Sequence, residues 1–275
     1  MSERILITGG AGFIGSHLGR HLLERGYEVR ALDNLTEQVH GTPERPAYLP
    51  ADVELVAGDV RDRAALDGAL AGADVVVHFA ARVGVGQSMY EIADYSAVNT
   101  HGTGVLLEAL MDHPVRKLLV ASSMSIYGEG LYRTSDGRIA EAISRGRAQL
   151  ERGQWEPRGP DGLTLAPLRT PEWKQPSLSS IYALGKYDQE RMCLLFGSAY
   201  EVPTVALRFF NVFGPDQALS NPYTGVLAIF AGRLLNGRAP LVFEDGRQRR
   251  DFVSIHDVVQ ACTLALEREA RTGVR

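Results

Sequence analysis

An apolar stretch of strand character, Arg4–Ile5–Leu6–Ile7, runs directly into Thr8–Gly9–Gly10–Ala11–Gly12–Phe13–Ile14–Gly15, and an amphipathic helical pattern follows from Ser16 to Arg25. Strand, tight turn and helix in that order open a dinucleotide-binding βαβ unit. Glycine is needed in such a turn for backbone freedom, and because a Cβ would hold a pyrophosphate away from the backbone N–H groups. The helix N-terminus then offers unsatisfied donors and a partial positive charge to the phosphates. The pattern Gly10-x-Gly12-x-x-Gly15 alone is weak, since any glycine-rich turn can produce it. Its context strengthens it: Asp33 closes the next apolar strand, Val29–Arg30–Ala31–Leu32–Asp33, 18 residues beyond Gly15. A ribose-binding acid is expected about 20 residues on. A carboxylate there repels a 2′-phosphate, and Asn34 and Leu35 follow it instead of an arginine, so the expected cofactor is NAD rather than NADP.

The 275 residues suffice for a large core, and 45% hydrophobic with 23% charged residues is ordinary for a globular chain. A net charge of −4 and the absence of a Lys/Arg stripe argue against a nucleic-acid surface. Cys193 and Cys262 are the two thiols, which suggests a reduced, cytoplasmic protein without a disulfide framework. The first strand leaves no room for a signal peptide, and no apolar run approaches the roughly 20 residues that span a bilayer.

Further along, strands are expected at Val53–Ala57, Asp74–Ala81, Lys117–Ser122 and Thr204–Phe209. Helical patterns fill Arg61–Leu70, Ile92–His113, Ser180–Tyr200, Val226–Asn236 and Ile255–Arg268. A short strand is expected near Leu241–Phe243. Alternating strands and helices imply a doubly wound parallel sheet, with the site at the strands' C-terminal ends. Asp59, after Gly58, reads either as a partner for the adenine amino group or as the N-cap of the helix from Arg61, and the two are compatible. The segment 129–178, with Trp155 and Trp173, breaks the rhythm and reads as an excursion at the rim of the site, with one helix around Ile139–Arg152. A surface insertion without function is the other reading.

Tyr182-x-x-x-Lys186 places two side chains one turn apart on one helical face. Free tyrosine, with a pKa near 10, is a poor base at neutral pH. An ammonium one turn away favours the phenolate and can also hold a ribose. After the nucleotide motif and the cluster Ser122–Ser123–Met124–Ser125–Ile126–Tyr127–Gly128, the pair points to catalysis.

In Thr8-Gly9-x-x-Gly12-x-x-Gly15, Gly58–Asp59–Val60, His78–Phe79–Ala80–Ala81, Ser122–Ser123, Tyr127–Gly128, Tyr182-x-x-x-Lys186, Arg208–Phe209–Phe210–Asn211 and Arg250–Asp251–Phe252, the chain resembles the extended short-chain dehydrogenase/reductase family. The likeness is to its NAD-dependent nucleotide-sugar epimerase/dehydratase branch. It implies a Rossmann-type NAD-binding domain over 1–202, carrying the insertion 129–178, and a mixed segment 203–275 that adds a last core strand and part of a nucleotide-sugar site. It further implies Tyr182 as acid/base, Lys186 as its tuner and ribose ligand, and Ser123 as the hydroxyl bonded to the sugar oxygen. By the same resemblance Gly9, Gly12, Phe13, Ile14, Gly15, Asp33, Asn34, Asp59, Val60, Phe79, Ala80, Ala81, Asn99, Ser122, Tyr182, Lys186 and Phe209 meet NAD. Val83, Ser123, Ser125, Asn211, Asn221 and Arg250 meet a UDP- or dTDP-hexose.

Sugar 4,6-dehydratases of the branch carry Asp–Glu after the position of Ser123, whereas this chain has Met124–Ser125. The implied reaction is therefore 4-epimerisation, in a homodimer packed through the helices around Ile92–His113 and Ser180–Tyr200. Two alternatives stand beside it: another nucleotide-sugar oxidoreductase or dehydratase, or a non-catalytic NAD-binding protein. The second follows from the chain stopping at Arg275 where family members continue, which implies an incomplete sugar pocket. No metal is expected: Gly159–Pro160–Asp161–Gly162 stands where relatives carry paired cysteines, and His17 and His21 read as surface histidines without a third ligand.

Overall fold

Alternation along the strands decides the layering. Ile5, Ile7, Val75, Val77 and Leu119 face one way, while Leu6, Val76, Leu118 and Val120 face the other. The computed structural model describes residues 2–141, 143–218, 225–268 and 273–274. In it, β1 (Arg4–Thr8), β2 (Glu28–Asp33), β3 (Glu54–Ala57), β4 (Val75–His78), β5 (Lys117–Ser123), β6 (Thr204–Phe209) and β7 (Gly273–Val274) form one parallel sheet in the order β7-β6-β5-β4-β1-β2-β3.

One face is covered by α1 (Phe13–Glu24) and α5 (Ile255–Glu267), through Leu18, Leu22, Ile255, Val259 and Leu266. The other is covered by α2 (Arg63–Leu70), α3 (Gly102–Asp112) and α4 (Ile181–Ala199), through Leu66, Leu70, Leu106, Leu110 and Phe196. The buried thiols Cys262 and Cys193 belong to opposite layers, with the sheet between them. Among the described residues no helix is long and apolar enough to cross a membrane.

Several expectations change in detail. The N-cap of α2 is Asp62, whose carboxylate accepts from Ala64 N, so the helix begins at Arg63 and Asp59 is left to the site. The pattern over Ile92–His113 is helical but not uniform: Ile92–Tyr95 passes through a π-helical turn, Ser96–His101, before α3. Such turns re-aim side chains, and this one contains Asn99, which is fully buried. The helix expected over Ile139–Arg152 shrinks to Arg147–Glu151, because Ile139–Ala140 pairs instead with the strand Leu131–Arg133, itself paired with Ala166–Leu168. Leu241–Phe243 is exposed and forms no strand; the pairing nearby joins Asn211–Phe213 to Phe252–Ser254. His17 is not a surface histidine: it is 8% exposed, with Nε2 3.0 Å from Pro215 O.

Lys117 at the start of β5 is 3% exposed, and its ammonium donates to the carbonyls of Ala265, Leu266 and Arg268 at 2.9, 2.9 and 2.5 Å. A buried cation thereby satisfies the carbonyl end of α5, where the helix dipole is negative. Lys117→Met should destabilise the fold by about 2–3 kcal/mol, the order for losing hydrogen bonds from a buried charged donor. Urea denaturation checks this as a lowered midpoint at unchanged m-value.

Candidate active site

The C-terminal ends of β1, β2, β4, β5 and β6 open onto one cleft of about 560 Å³. At its floor the turn from β1 into α1 is packed backbone on backbone. Gly9 has φ +69, and a Cβ there would lie 2.8 Å from Ala80 N; one on Gly15 would lie 2.6 Å from Gly10 Cα and Gly9 O. Gly12, the N-cap of α1, differs: its φ is −70, and a Cβ would meet only Gly9 O, at 3.3 Å. A side chain at 12 presses on the turn far less than one at 9 or 15. Gly12 lines the cleft at the N-terminus of α1, the end of a helix that can receive a phosphate.

Asp33 ends β2 at the cleft wall. Its Oδ2 accepts from Ala11 N at 3.1 Å, its Oδ1 accepts from Leu35 N at 3.0 Å, and His40 Nε2 stands 3.4 Å from Oδ1. The carboxylate is held in place with lone pairs left for ribose hydroxyls. Arg30 is turned away, donating through Nη1 to Ala69 O and Ala71 O, both at 2.8 Å, and cannot greet a 2′-phosphate. Asp59 accepts from Asn34 Nδ2 at 3.1 Å and binds Arg61, whose hydrogen bonds hold its carboxyl down at about 2. This half of the cleft fits NAD.

The other half is built on Ser122 and Ser123, which do different work. Ser122 Oγ donates to Glu190 Oε2 at 2.6 Å, and Glu190 is clasped by Arg208 through Nε and Nη2 at 2.9 and 2.7 Å. Arg208 reaches on to Tyr127 Oη at 2.9 Å and Glu172 O at 3.0 Å. Ser123 Oγ instead accepts from Ser125 N at 3.1 Å and from Ser125 Oγ at 2.8 Å. Burial pushes the Tyr182 phenol up, and the Ser123 hydroxyl partly offsets this. Lys186, one turn on, donates from Nζ to Gln189 Oε1 at 2.7 Å; burial brings its ammonium down to about 8 against the upward pull of Cys193 and Glu190.

The excursion 129–178 is anchored to this end. Lys174, 2% exposed, donates to Tyr127 O at 2.8 Å, and Ser177 N donates to Ile126 O at 2.8 Å. Its last residues thus hold the turn Met124–Tyr127 that presents Ser125.

Most of the residues expected here do line the cleft, from Gly9, Gly12, Phe13, Ile14 and Gly15 through Asp33, Asn34, Asp59, Val60, Phe79, Ala80, Ala81 and Val83 to Ser122, Ser123, Ser125, Tyr182, Lys186, Phe209 and Asn211. Three do not. Asn99 is buried beneath the cleft, its Oδ1 accepting from Arg82 N at 2.7 Å and its Nδ2 donating to Arg82 O at 3.1 Å, so it supports the loop rather than touching a ligand. Arg250 is exposed, outside the lining, and donates to Arg249 O at 2.8 Å. Asn221 lies outside the described residues. Sequence reasoning missed Gln38 and His40, which line the cleft from a turn-rich loop with no periodic signal. It also missed Gln189, whose i+3 spacing from Lys186 was a usable signal.

The chain matches the model of the NAD dependent epimerase/dehydratase family over residues 5–144 and 166–274. It is 39% identical over 271 residues to a dTDP-L-rhamnose 4-epimerase of Burkholderia thailandensis, covering 97% of this chain and 74% of that protein. It is 31% identical over 270 residues to a UDP-N-acetyl-alpha-D-glucosaminuronate decarboxylase of Bacillus cytotoxicus, covering 97% and 72%. Among solved structures, a Thermus thermophilus UDP-glucose 4-epimerase in complex with NAD superposes with a TM-score of 0.76 at 32% identity, covering 98% of this chain and 76% of that one.

The two glycines separate fold from ligand. Gly12→Ala should keep the urea midpoint close to that of the unaltered protein while weakening NAD binding about tenfold or more, measured by calorimetry. Gly15→Ala should lower the midpoint itself, because the added carbon collides with backbone.

Proposed function

The chain belongs to the NAD dependent epimerase/dehydratase family, and from that premise we propose that it is a nucleotide-sugar 4-epimerase acting on a UDP- or dTDP-hexose. Its cofactor is NAD, which when bound supplies reversible hydride acceptance at the sugar C4. The residues of the chain manage the proton and the pose. Tyr182 Oη takes the C4 hydroxyl proton and returns it after the 4-keto sugar has turned over. Ser123 holds O4, and Ser125, donating into Ser123 Oγ, leaves the Ser123 proton free for that task. Lys186 holds the nicotinamide ribose, and Asn211, with Val83 and Ser125, meets the substrate.

One observation carries epimerisation over dehydration. Eliminating water across C5–C6 requires an additional acid and base beside the sugar. Met124 and Ser125 follow Ser123, and among the described residues lining the cleft the carboxylates are Asp33 and Asp59, both in the half that fits the adenosine. On the same reading the protein is a cytoplasmic homodimer. Leu184 and Leu195 on α4 and Met111 on α3 remain exposed at 43, 60 and 48% and supply apolar surface for that contact.

With NAD and a panel of UDP- and dTDP-hexoses, NMR should show one pair of sugars interconverting at C4 without net NADH. A 4-keto-6-deoxy product or stoichiometric NADH would sink the reading. Tyr182→Phe and Ser123→Ala should each lower kcat by about 10²–10⁴, the usual range for losing a positioned proton donor or acceptor, with NAD still bound.

A further inference from the structure

We propose that Gln189 is a positioning residue for Lys186: its side-chain carbonyl holds the ammonium as an uncharged acceptor, fixing the lysine at the cleft without neutralising its charge. The proposal rests on Lys186 acting in the site as read above.

Gln189 is fully buried on α4, and its Oε1 lies 2.7 Å from Lys186 Nζ. Its amide cannot be turned over. On the opposite side, Nε2 donates to Ala80 O at 3.2 Å and Thr103 Oγ1 at 3.0 Å, and lies 3.0 Å from His78 Nε2. Thr103 directs its own proton to Asn99 O at 2.6 Å and so receives at its oxygen. Burial, with Lys186 nearby, pushes His78 down to about 3, which makes it a neutral imidazole. His78 bridges the two threonines of the set, with Nε2 2.9 Å from Thr103 Oγ1 and Nδ1 2.7 Å from Thr8 Oγ1. A flipped amide would set NH2 against the ammonium and a carbonyl against Ala80 O. The network therefore anchors Lys186 to the ends of β4 and β1, the strands that supply the floor of the cleft.

A neutral acceptor suits the role better than a carboxylate. A glutamate at the same distance would form a buried ion pair with the ammonium and neutralise the positive charge at the cleft. The groups facing the ammonium are Glu190 and Cys193 on its own helix, His78 on β4, and Tyr182 one turn earlier. Glu190 is already engaged by Arg208 and Ser122, and burial holds the Cys193 thiol up at about 12.

The lysine can be read directly. Lys117, Lys174 and Lys186 are the lysines of the whole sequence, so a ¹³C-lysine-labelled sample has three side-chain signals, and Lys186→Arg assigns the third. In the unaltered protein, Lys186 Cε should titrate near pH 8 and the Gln189 side-chain carbonyl carbon should shift with the same midpoint. In Gln189→Met, where the ammonium loses its acceptor, the Lys186 midpoint should fall; in Gln189→Glu it should rise, each by about 0.5 pH units or more. A Gln189 carbon indifferent to the lysine, a measurement that needs no variant to fold, overturns the proposal. So do midpoints unmoved in both variants. These readouts are independent of turnover: failure to invert C4 with the shifts intact would strike the epimerase reading and leave the Gln189–Lys186 contact standing.

Discussion

Backbone rests directly on backbone where β1 turns into α1, and the molecule is arranged around that contact. Gly9 lies against Ala80 at the exit of β4, Gly10 against Ala31 of β2, and Gly15 against Gly9 and Gly10. No side chain fits at any of the three, so the three central strands and the first helix meet at fixed spacing. The N-terminus of α1 is thereby aimed into a cleft walled by the strand ends. Gly12 stands apart: a Cβ there would meet only Gly9 O, at 3.3 Å, and the residue lines the cleft.

Behind the cleft, buried polar groups are joined in connected sets. Arg208, Glu190, Ser122 and Tyr127 form one set beneath the reacting end; Lys186, Gln189, His78, Thr103 and Thr8 form another beneath the cofactor end. Hydrogen bonding within such sets is the condition under which buried polarity rigidifies a site instead of destabilising it. The use of lysine is consistent with this. Lys117, Lys174 and Lys186 are each no more than 3% exposed, and every other cationic side chain in the sequence, histidine aside, is arginine. An ammonium, compact and with three donors, is placed where backbone carbonyls or an amide converge.

The sheet, its strand ends and the Ser123–Tyr182–Lys186 constellation were legible because they rest on local signals: apolar alternation, glycine where φ or contact demands it, and fixed spacing along one helix. What escaped depends on partners distant in sequence. Asn99 reads as a site residue on a long helix, but the π turn directs it to the Arg82 backbone. Arg250 sits in a matching motif yet points to solvent. Within 129–178, pairing of Ile139–Ala140 with Leu131–Arg133 overrode a helical pattern, and the docking of Lys174 on Tyr127 had no sequence signal. His40, 3.4 Å from Asp33, belongs to a loop that only tertiary packing places.

The central claim is that hydride leaves C4 of a nucleotide hexose and returns to the same carbon within one closed site. The most direct test supplies a nucleotide hexose carrying deuterium at C4 and follows the label in the product. The account predicts that the epimer retains deuterium at C4 when turned over in ordinary water. Label lost to solvent, or found at C6 of a 4-keto-6-deoxy sugar, would contradict it.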